Sequence, residues 1–292
     1  MKKLLALVLA VVMMMGVASV AFAEETNSLD AVKAAGVLKV GVDAAFAPMT
    51  FKDETGAYTG YDVALATAVA EKLGVAVEFV EVDWANLNAA LADGTVDCVW
   101  SGMSINDERK ATMTISAAYL ESNTTLLVHK DIAGFIDDLA GKTVAVQAGS
   151  FAETILVNDF AHLFTAENIV KVADSDAGIA AVIAQAEFDA AIEAAKDEGK
   201  PTDDITAGDA VLAQAVILDS TYADYQIATN EALADFITIE ELYADLFGIG
   251  FAKGDYLLCG AVEEALYELA LDGTIAAIDA EWFGADACLI GK

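Results

Sequence analysis

The residues of this chain best suited to chemistry are Ser101-Gly102-Met103-Ser104-Ile105-Asn106-Asp107-Glu108-Arg109, which follow the apolar run Val96 to Trp100. Hydroxyls, a small glycine, a helix-start signal and one guanidinium come together where a buried strand should end. A planar guanidinium matches a carboxylate as a fork, and hydroxyls and free backbone N–H groups complete the shell around the anion. The segment reads as a grip for a small carboxylated molecule, an amino acid above all.

Four further features stand at the carboxyl ends of strand-like runs, where ligands bind in open α/β sheets. Asp43-Ala44-Ala45-Phe46-Ala47-Pro48 offers a carboxylate, a ring and a rigid turn, and Trp84 follows the second strand. Gln147-Ala148-Gly149-Ser150 opens a helix, whose first N–H groups and dipole favour an anion. Asp219-Ser220 ends a later strand. Each also has a plainer reading that the residues alone leave open. Arg109 can pair with Asp107 or Glu108 on an exposed helix, and Asp219 can serve as an N-cap. Phe46 and Trp84 can be core aromatics, and Asp43 a turn residue.

The elements that must hold these residues alternate along the chain. Strand-like runs fall at 37–42, 75–82, 96–100, 124–128, 143–146, 169–172, 211–218 and 248–251, and helical stretches at 62–73, 85–91, 151–160, 176–185, 222–228 and 256–271. That is the pattern of an α/β protein built on parallel sheets flanked by helices. Only Pro48 and Pro201 interrupt the chain, and no Ser/Gly-rich linker marks a boundary, so the two domains expected for this length should be joined by strands. Thr124 to Val128 and Gly248 to Phe251 are the candidates. The acidic stretch 186–209 reads as an excursion with its own solvated helix over Glu187 to Glu198.

Lys2 and Lys3, the apolar stretch Leu4 to Val20 and Ala21-Phe22-Ala23 form a secretory leader over residues 1–23, cleaved near Ala23. The mature product is expected to be exported, periplasmic or extracellular, and monomeric. The 292 residues carry 47 acids against 15 bases, and losing Lys2 and Lys3 with the leader leaves 47 against 13, a formal charge of −34. Such a field repels nucleic acid and anionic lipid. Three cysteines are too few for a disulfide scaffold. In an oxidising compartment Cys259 and Cys288 are the possible pair, with Cys98 a buried thiol. With no Cys-x-x-Cys, and with His129 and His162 standing alone, no metal site or cofactor is expected.

Taken in order, Gly41-Val42-Asp43 with Phe46 and Pro48, Gly60-Tyr61-Asp62, Ser101 to Arg109, Gly141-Lys142-Thr143-Val144 leading to Gly149-Ser150, Asp219-Ser220, Gly248 to Gly254 and Trp282-Phe283-Gly284 resemble a family 3 bacterial extracellular solute-binding protein. These are the periplasmic polar amino-acid receptors of ABC importers. Three departures stand out: Ala64 where a second acid is usual, Glu281 in place of a common lysine, and the long 186–209 excursion.

The resemblance implies a two-lobed periplasmic binding protein fold of type II, two α/β lobes joined by a two-strand hinge. Lobe 1 would take 26–127 and 249–292, and lobe 2 would take 128–248. Arg109 would grip the ligand's α-carboxylate, assisted by Ser104, the backbone at Gly102 and the Ser150 segment, while Asp219 accepts the α-ammonium. Phe46 and Trp84 would wall the pocket, with Asp43 and Gln147 at the ligand's polar end. The function implied is capture of a polar L-amino acid for a membrane permease, without catalysis. Asp43 favours glutamine, arginine, lysine or histidine over acidic ligands. Dehydratase-type chemistry on the same fold and a sensing module without a transport role are the alternatives.

Overall fold

The computed structural model describes residues 28–132 and 134–292. The expected leader, 1–23, lies outside the described residues. In chain order the elements begin with α1 (Ser28–Ala35), β1 (Val37–Val42), the short strands β2 (Ala45–Phe46), β3 (Thr50–Lys52) and β4 (Tyr58–Thr59), α2 (Tyr61–Leu73) and β5 (Ala76–Glu81). A 3-10 turn at Trp84–Asn86 leads into α3 (Leu87–Ala92), β6 (Cys98–Ser104), α4 (Asp107–Thr112), β7 (Thr114–Ile115) and β8 (Leu120–His129). Then come β9 (Val144–Gln147), α5 (Phe151–Asn158), β10 (Ile169–Val172), α6 (Ser175–Asp197), β11 (Ala215–Asp219) and α7 (Ser220–Thr229). The chain closes with β12 (Phe236–Phe251), α8 (Tyr256–Leu271) and α9 (Thr274–Trp282).

One nine-stranded sheet runs in the order β10-β9-β11-β8-β12-β6-β1-β5, with β7 paired to β12, and β2, β3 and β4 form a small second sheet. β5, β1 and β6 pair in parallel, as do β10, β9 and β11. Parallel neighbours need crossover helices, which α2, α3, α5 and α6 supply. Helices on both faces explain why the consecutive residues Val144, Ala145 and Val146 of β9 are all fully buried, and Leu38, Val40 and Val42 line the buried face of β1. β8 and β12 are antiparallel to each other and connect the two parallel trios: β8 pairs with β11 from Thr124 onward, and β12 pairs with β8 up to Phe247 and with β6 from there to Phe251. The protein is thus a two-lobed α/β fold with two shared strands.

Helix starts follow capping chemistry. Asn106, Ser150, Asp174 and Asp255 each accept a first-turn N–H from α4, α5, α6 and α8. Two of these caps sit at the site itself.

Several expectations change. α6 runs unbroken through 23 residues, so the acidic helix read over 187–198 is the solvated half of α6, whose first half buries Ile179 and Val182. β12 spans 16 residues, of which the sequence pattern showed only the last four, because bulges near Glu241 break its alternation. α1 and α9 were not anticipated. The bridge between Cys259 and Cys288 is not formed: both are free and buried, as is Cys98. Cys259 sits on α8 within electrostatic reach of Cys98, whereas Cys288 lies beyond α9, where its N–H donates to Asp279 Oδ2 at 3.0 Å beside Tyr61.

Candidate functional site

All nine residues singled out from the sequence, Asp43, Phe46, Trp84, Gly102, Ser104, Arg109, Gln147, Ser150 and Asp219, line one cavity between the two lobes, together with Ser101, Phe151 and Ala152. Strand ends bring them there. Asp43 follows β1, Gly102 and Ser104 close β6, Gln147 ends β9 and Asp219 ends β11.

At one pole stands Arg109. Asn106 caps α4 by accepting the Arg109 N–H at 2.8 Å, which turns the arginine side chain back over β6. Its Nη1 donates to the Ser104 carbonyl at 2.9 Å, and the guanidinium lies 5.3 Å from the centre of the Trp84 ring. Arg109 is only 8 % exposed, yet none of the ion pairs among the described residues includes it, so the reading in which it pairs with Asp107 or Glu108 fails. Burial lowers its pKa to about 10, against the opposing pull of Asp245, Asp219 and Glu108. A buried cation without a close counter-ion is stabilised by an incoming anion.

The groups around Arg109 act differently from what the sequence suggested. The Gly102 N–H is committed to Asp62 Oδ2 at 2.7 Å and is not free for a ligand. What Gly102 supplies is room: at φ 56°, an added Cβ would lie 2.3 Å from Cε1 of Phe46. The Ser150 hydroxyl accepts the Glu153 N–H at 3.2 Å as the cap of α5. Ser150 therefore contributes the N-terminal end of α5, where Phe151 and Ala152 also line the cavity.

The opposite pole is acidic. Asp219 occupies the N-cap position of α7 but makes no capping bond through its side chain, which leaves the carboxylate facing the cavity. Burial first, then the neighbouring Asp245, push its pKa up to about 8, and Arg109 pulls the other way. Asp245 was missed. It lies on β12 only 2 % exposed, with Oδ1 accepting the Leu246 N–H at 2.7 Å and Oδ2 lacking a hydrogen-bond partner. Burial raises it to about 6, opposed by Ser104 and Arg109. The register puts Asp219 opposite Thr124 and Asp245 opposite Ser122, so both acids stand on one face of the sheet across β8. The one available signal was a lone acid inside the apolar run from Leu242 to Phe251.

At the third corner, Asp43 Oδ2 accepts from Trp84 Nε1 at 2.9 Å and from Gln147 Nε2 at 2.7 Å, and Oδ1 accepts from the Ala45 N–H at 2.9 Å. The Gln147 bond crosses from one lobe to the other. Burial raises the Asp43 pKa, and the bonds from Gln147, Ala45 and Trp84 hold the rise down. Phe46 is stacked on Tyr222 of the other lobe, ring centres 5.4 Å apart and planes 9° from parallel. In this arrangement the central cavity holds about 30 Å³, between clefts of about 380 and 610 Å³ that share Trp84 with it. Among the described residues no cluster of histidine, cysteine or acids is placed to hold a metal ion. The groups on offer are a donor fork for a carboxylate, acids for cations, and aromatic walls.

Comparisons with known proteins point the same way. The family model for bacterial extracellular solute-binding proteins, family 3, matches residues 38–285. The L-cystine-binding protein TcyJ of Escherichia coli (strain K12) is 30 % identical over 283 residues, covering 96 % of this chain and 94 % of that protein. The lysine/arginine/ornithine-binding periplasmic protein of the same organism is 25 % identical over 248 residues, covering 84 % and 87 %. Among solved structures, a substrate-binding protein of an ABC uptake transporter from Streptococcus pneumoniae with bound histidine superposes with a TM-score of 0.75 at 26 % identity, covering 90 % of this chain and 99 % of that one.

Proposed function

We propose that this chain, which belongs to the family 3 bacterial extracellular solute-binding proteins, captures a polar L-amino acid between its lobes and delivers it to the membrane permease of an ABC importer. The observation that carries this reading is the buried Arg109 fork with no close counter-ion, facing the carboxylates of Asp219 and Asp245. Arg109 takes the α-carboxylate, aided by the N-terminal end of α5, and Asp219 takes the α-ammonium. Asp43 receives the far end of the ligand's side chain, and Gln147, its present partner, turns to the same group. Lobe 1, residues 26–127 and 249–292, and lobe 2, residues 128–248, close on the ligand through contacts that neither makes alone.

Charge narrows the ligand. Two acids, Asp43 and Asp219, line the cavity with a single cation, and Asp245 lies within electrostatic reach of Arg109, so a ligand with a net positive charge or an amide donor fits better than an acidic one. Arginine, lysine, histidine and glutamine are favoured, in keeping with a relative named for lysine, arginine and ornithine and with a neighbour that holds histidine. The relative named for L-cystine adds that amino acid to the panel. No catalytic step is assigned, because the acids with raised pKa are engaged by charge recognition.

Export behind a cleaved leader places this function outside the cytoplasm. Among the described residues no helix is long and apolar enough to cross a membrane. Thermal melts against the twenty amino acids and L-cystine test the ligand, since one present at ~100 times its dissociation constant stabilises by ~2.7 kcal/mol. Shifts confined to aspartate and glutamate would overturn the charge argument. Recovery of a chemically altered ligand would overturn the non-catalytic one.

A further inference from the structure

β6 is irregular where it meets the cavity. Its pairing with β12 joins Val99 to Gly250 and Met103 to Gly248, so Trp100, Ser101 and Gly102 stand against Ile249 alone. A bulge of this kind bends a strand and re-aims its side chains, and Gly102 makes the bend at φ 56°. The Ile249 backbone is committed elsewhere: its N–H donates to Ser116 Oγ, and its carbonyl accepts the Ser116 N–H, both at 2.9 Å. The buried Gly102 N–H must find another acceptor.

Asp62, in the first turn of α2, supplies it. Its Oδ2 accepts the Gly102 N–H at 2.7 Å and the Tyr119 hydroxyl at 2.8 Å. Tyr119 is itself fully buried and meets Trp100 edge-on, ring centres 5.9 Å apart. Asp62 is 1 % exposed and lies outside the cavity lining, and none of the ion pairs among the described residues includes it. The titratable groups that face it are Tyr119 and Tyr61, and the Tyr61 hydroxyl donates to Asp279 at 2.7 Å. An acid sealed in this way without a cation costs the fold stability, which points to a use beyond folding.

The bulge reaches both ends of the site. Ser101 Oγ accepts the Asp43 N–H at 3.2 Å, and two residues past Gly102 the Ser104 carbonyl accepts from Arg109 Nη1 at 2.9 Å. Every link from Asp43 to Tyr119, together with Ile249, falls in the part of the chain assigned above to lobe 1, so none depends on how far the lobes are closed.

We infer that Asp62 is a positioning residue of the binding site: by taking the Gly102 N–H it holds the β6 bulge that sets Ser101 on Asp43 and the Ser104 carbonyl on Arg109. Its effect on affinity rests on the reading of Asp43 and Arg109 as ligand poles, whereas its hold on β6 does not.

The test joins nuclear magnetic resonance of the 15N-labelled, ligand-free protein to calorimetric titration. The Gly102 amide proton should move downfield as pH rises through 7 and Asp62 ionises, since a carboxylate accepts more strongly than a neutral acid. Tyr61 and Tyr119 stay neutral there, both raised by burial. In Asp62→Asn that response should vanish. The same variant keeps the shape but offers only a neutral acceptor, so affinity for an amino acid from the melting panel should fall roughly three- to tenfold. Its melting temperature at pH 8 should change little, because a buried charge leaves with the bond. Tyr119→Phe removes only the brace on Asp62; it should weaken binding less, and it keeps the test open if Asp62→Asn does not fold. A merely structural Asp62 would lower the melting temperature and leave the Kd of the folded protein alone. A Gly102 amide that ignores both pH and Asp62→Asn would overturn the inference, as would folded variants with unchanged Kd. If no amino acid binds, the Gly102 signal still decides the hold on β6, and it is the capture reading that falls.

Discussion

Replacing Arg109 by alanine removes the one cation that lines the cavity. In the complex this leaves the ligand's carboxylate inside a closed cleft with no counter-ion, a loss of about 2 to 5 kcal/mol of binding, or roughly 30- to 5,000-fold in Kd. Folding should suffer far less. The side chain makes one hydrogen bond, to the Ser104 carbonyl, and one contact with the Trp84 ring, while its removal also relieves the burial of an unpaired cation. Ligand-free stability should stay within about 2 kcal/mol of the original, a bound set by one neutral hydrogen bond and one cation–π contact. Calorimetric titration gives the Kd and denaturant melts give the stability, so the two effects separate. Arg109→Lys is the informative companion: it keeps the charge and loses the fork, and its affinity should fall between the two. A change in Kd under about fivefold in a folded Arg109→Ala protein would refute the assignment of the carboxylate pole.

Other expectations follow from the same geometry. Asp219 must be ionised to accept an ammonium, and its pKa near 8 in the ligand-free protein means that affinity should fall as pH drops from 9 to 6, by up to about tenfold per unit below 8. Binding that tightens on acidification would contradict it. Ligand-free stability should run the other way. Asp62, Asp219 and Asp245 are raised to about 7, 8 and 6, above the unfolded value of about 3.9. The stability they contribute is fully present below about pH 4 and is lost as pH rises towards each folded value, so the melting temperature should decline from about pH 4 to 8, most steeply below 6 where all three carboxyls contribute. Gly102→Ala should cost about 1 to 3 kcal/mol and shift the Phe46 ring, because its Cβ meets that ring at 2.3 Å; an unchanged denaturation midpoint would contradict the close approach. Thiol titration should find three free thiols after unfolding and slow reaction before it, since all three are buried and the Cys259 thiol is pushed up to about 12.

Much of the site was legible because it is assembled from strand ends, and strand ends announce themselves. The run Val96 to Trp100 fixes where β6 must stop, and Asn106 marks the helix start that turns Arg109 inward. Roles were less legible than positions. Gly102 and Ser150 were read as donors to a ligand, yet one has its N–H committed to Asp62 and the other spends its hydroxyl on α5. The Ser150 bond is local and the Gly102 bond reaches back 40 residues to Asp62, and a sequence shows both groups only as available. Asp245 escaped notice because it belongs to the site through register across β8, and register is not written in the spacing of β12's own residues.

From residues alone came the alternation of strands and helices, the expectation of a leader, the acid excess and the set of side chains suited to a zwitterion, since each depends on local periodicity or composition. The folded chain alone settled which hydroxyls and N–H groups are already taken, that two acids share one face beside Arg109, that Cys259 and Cys288 stand apart, and that aromatic rings from the two lobes meet. Those facts are distances between segments far apart in the chain, set by how two lobes pack, and no reading of neighbouring residues contains them.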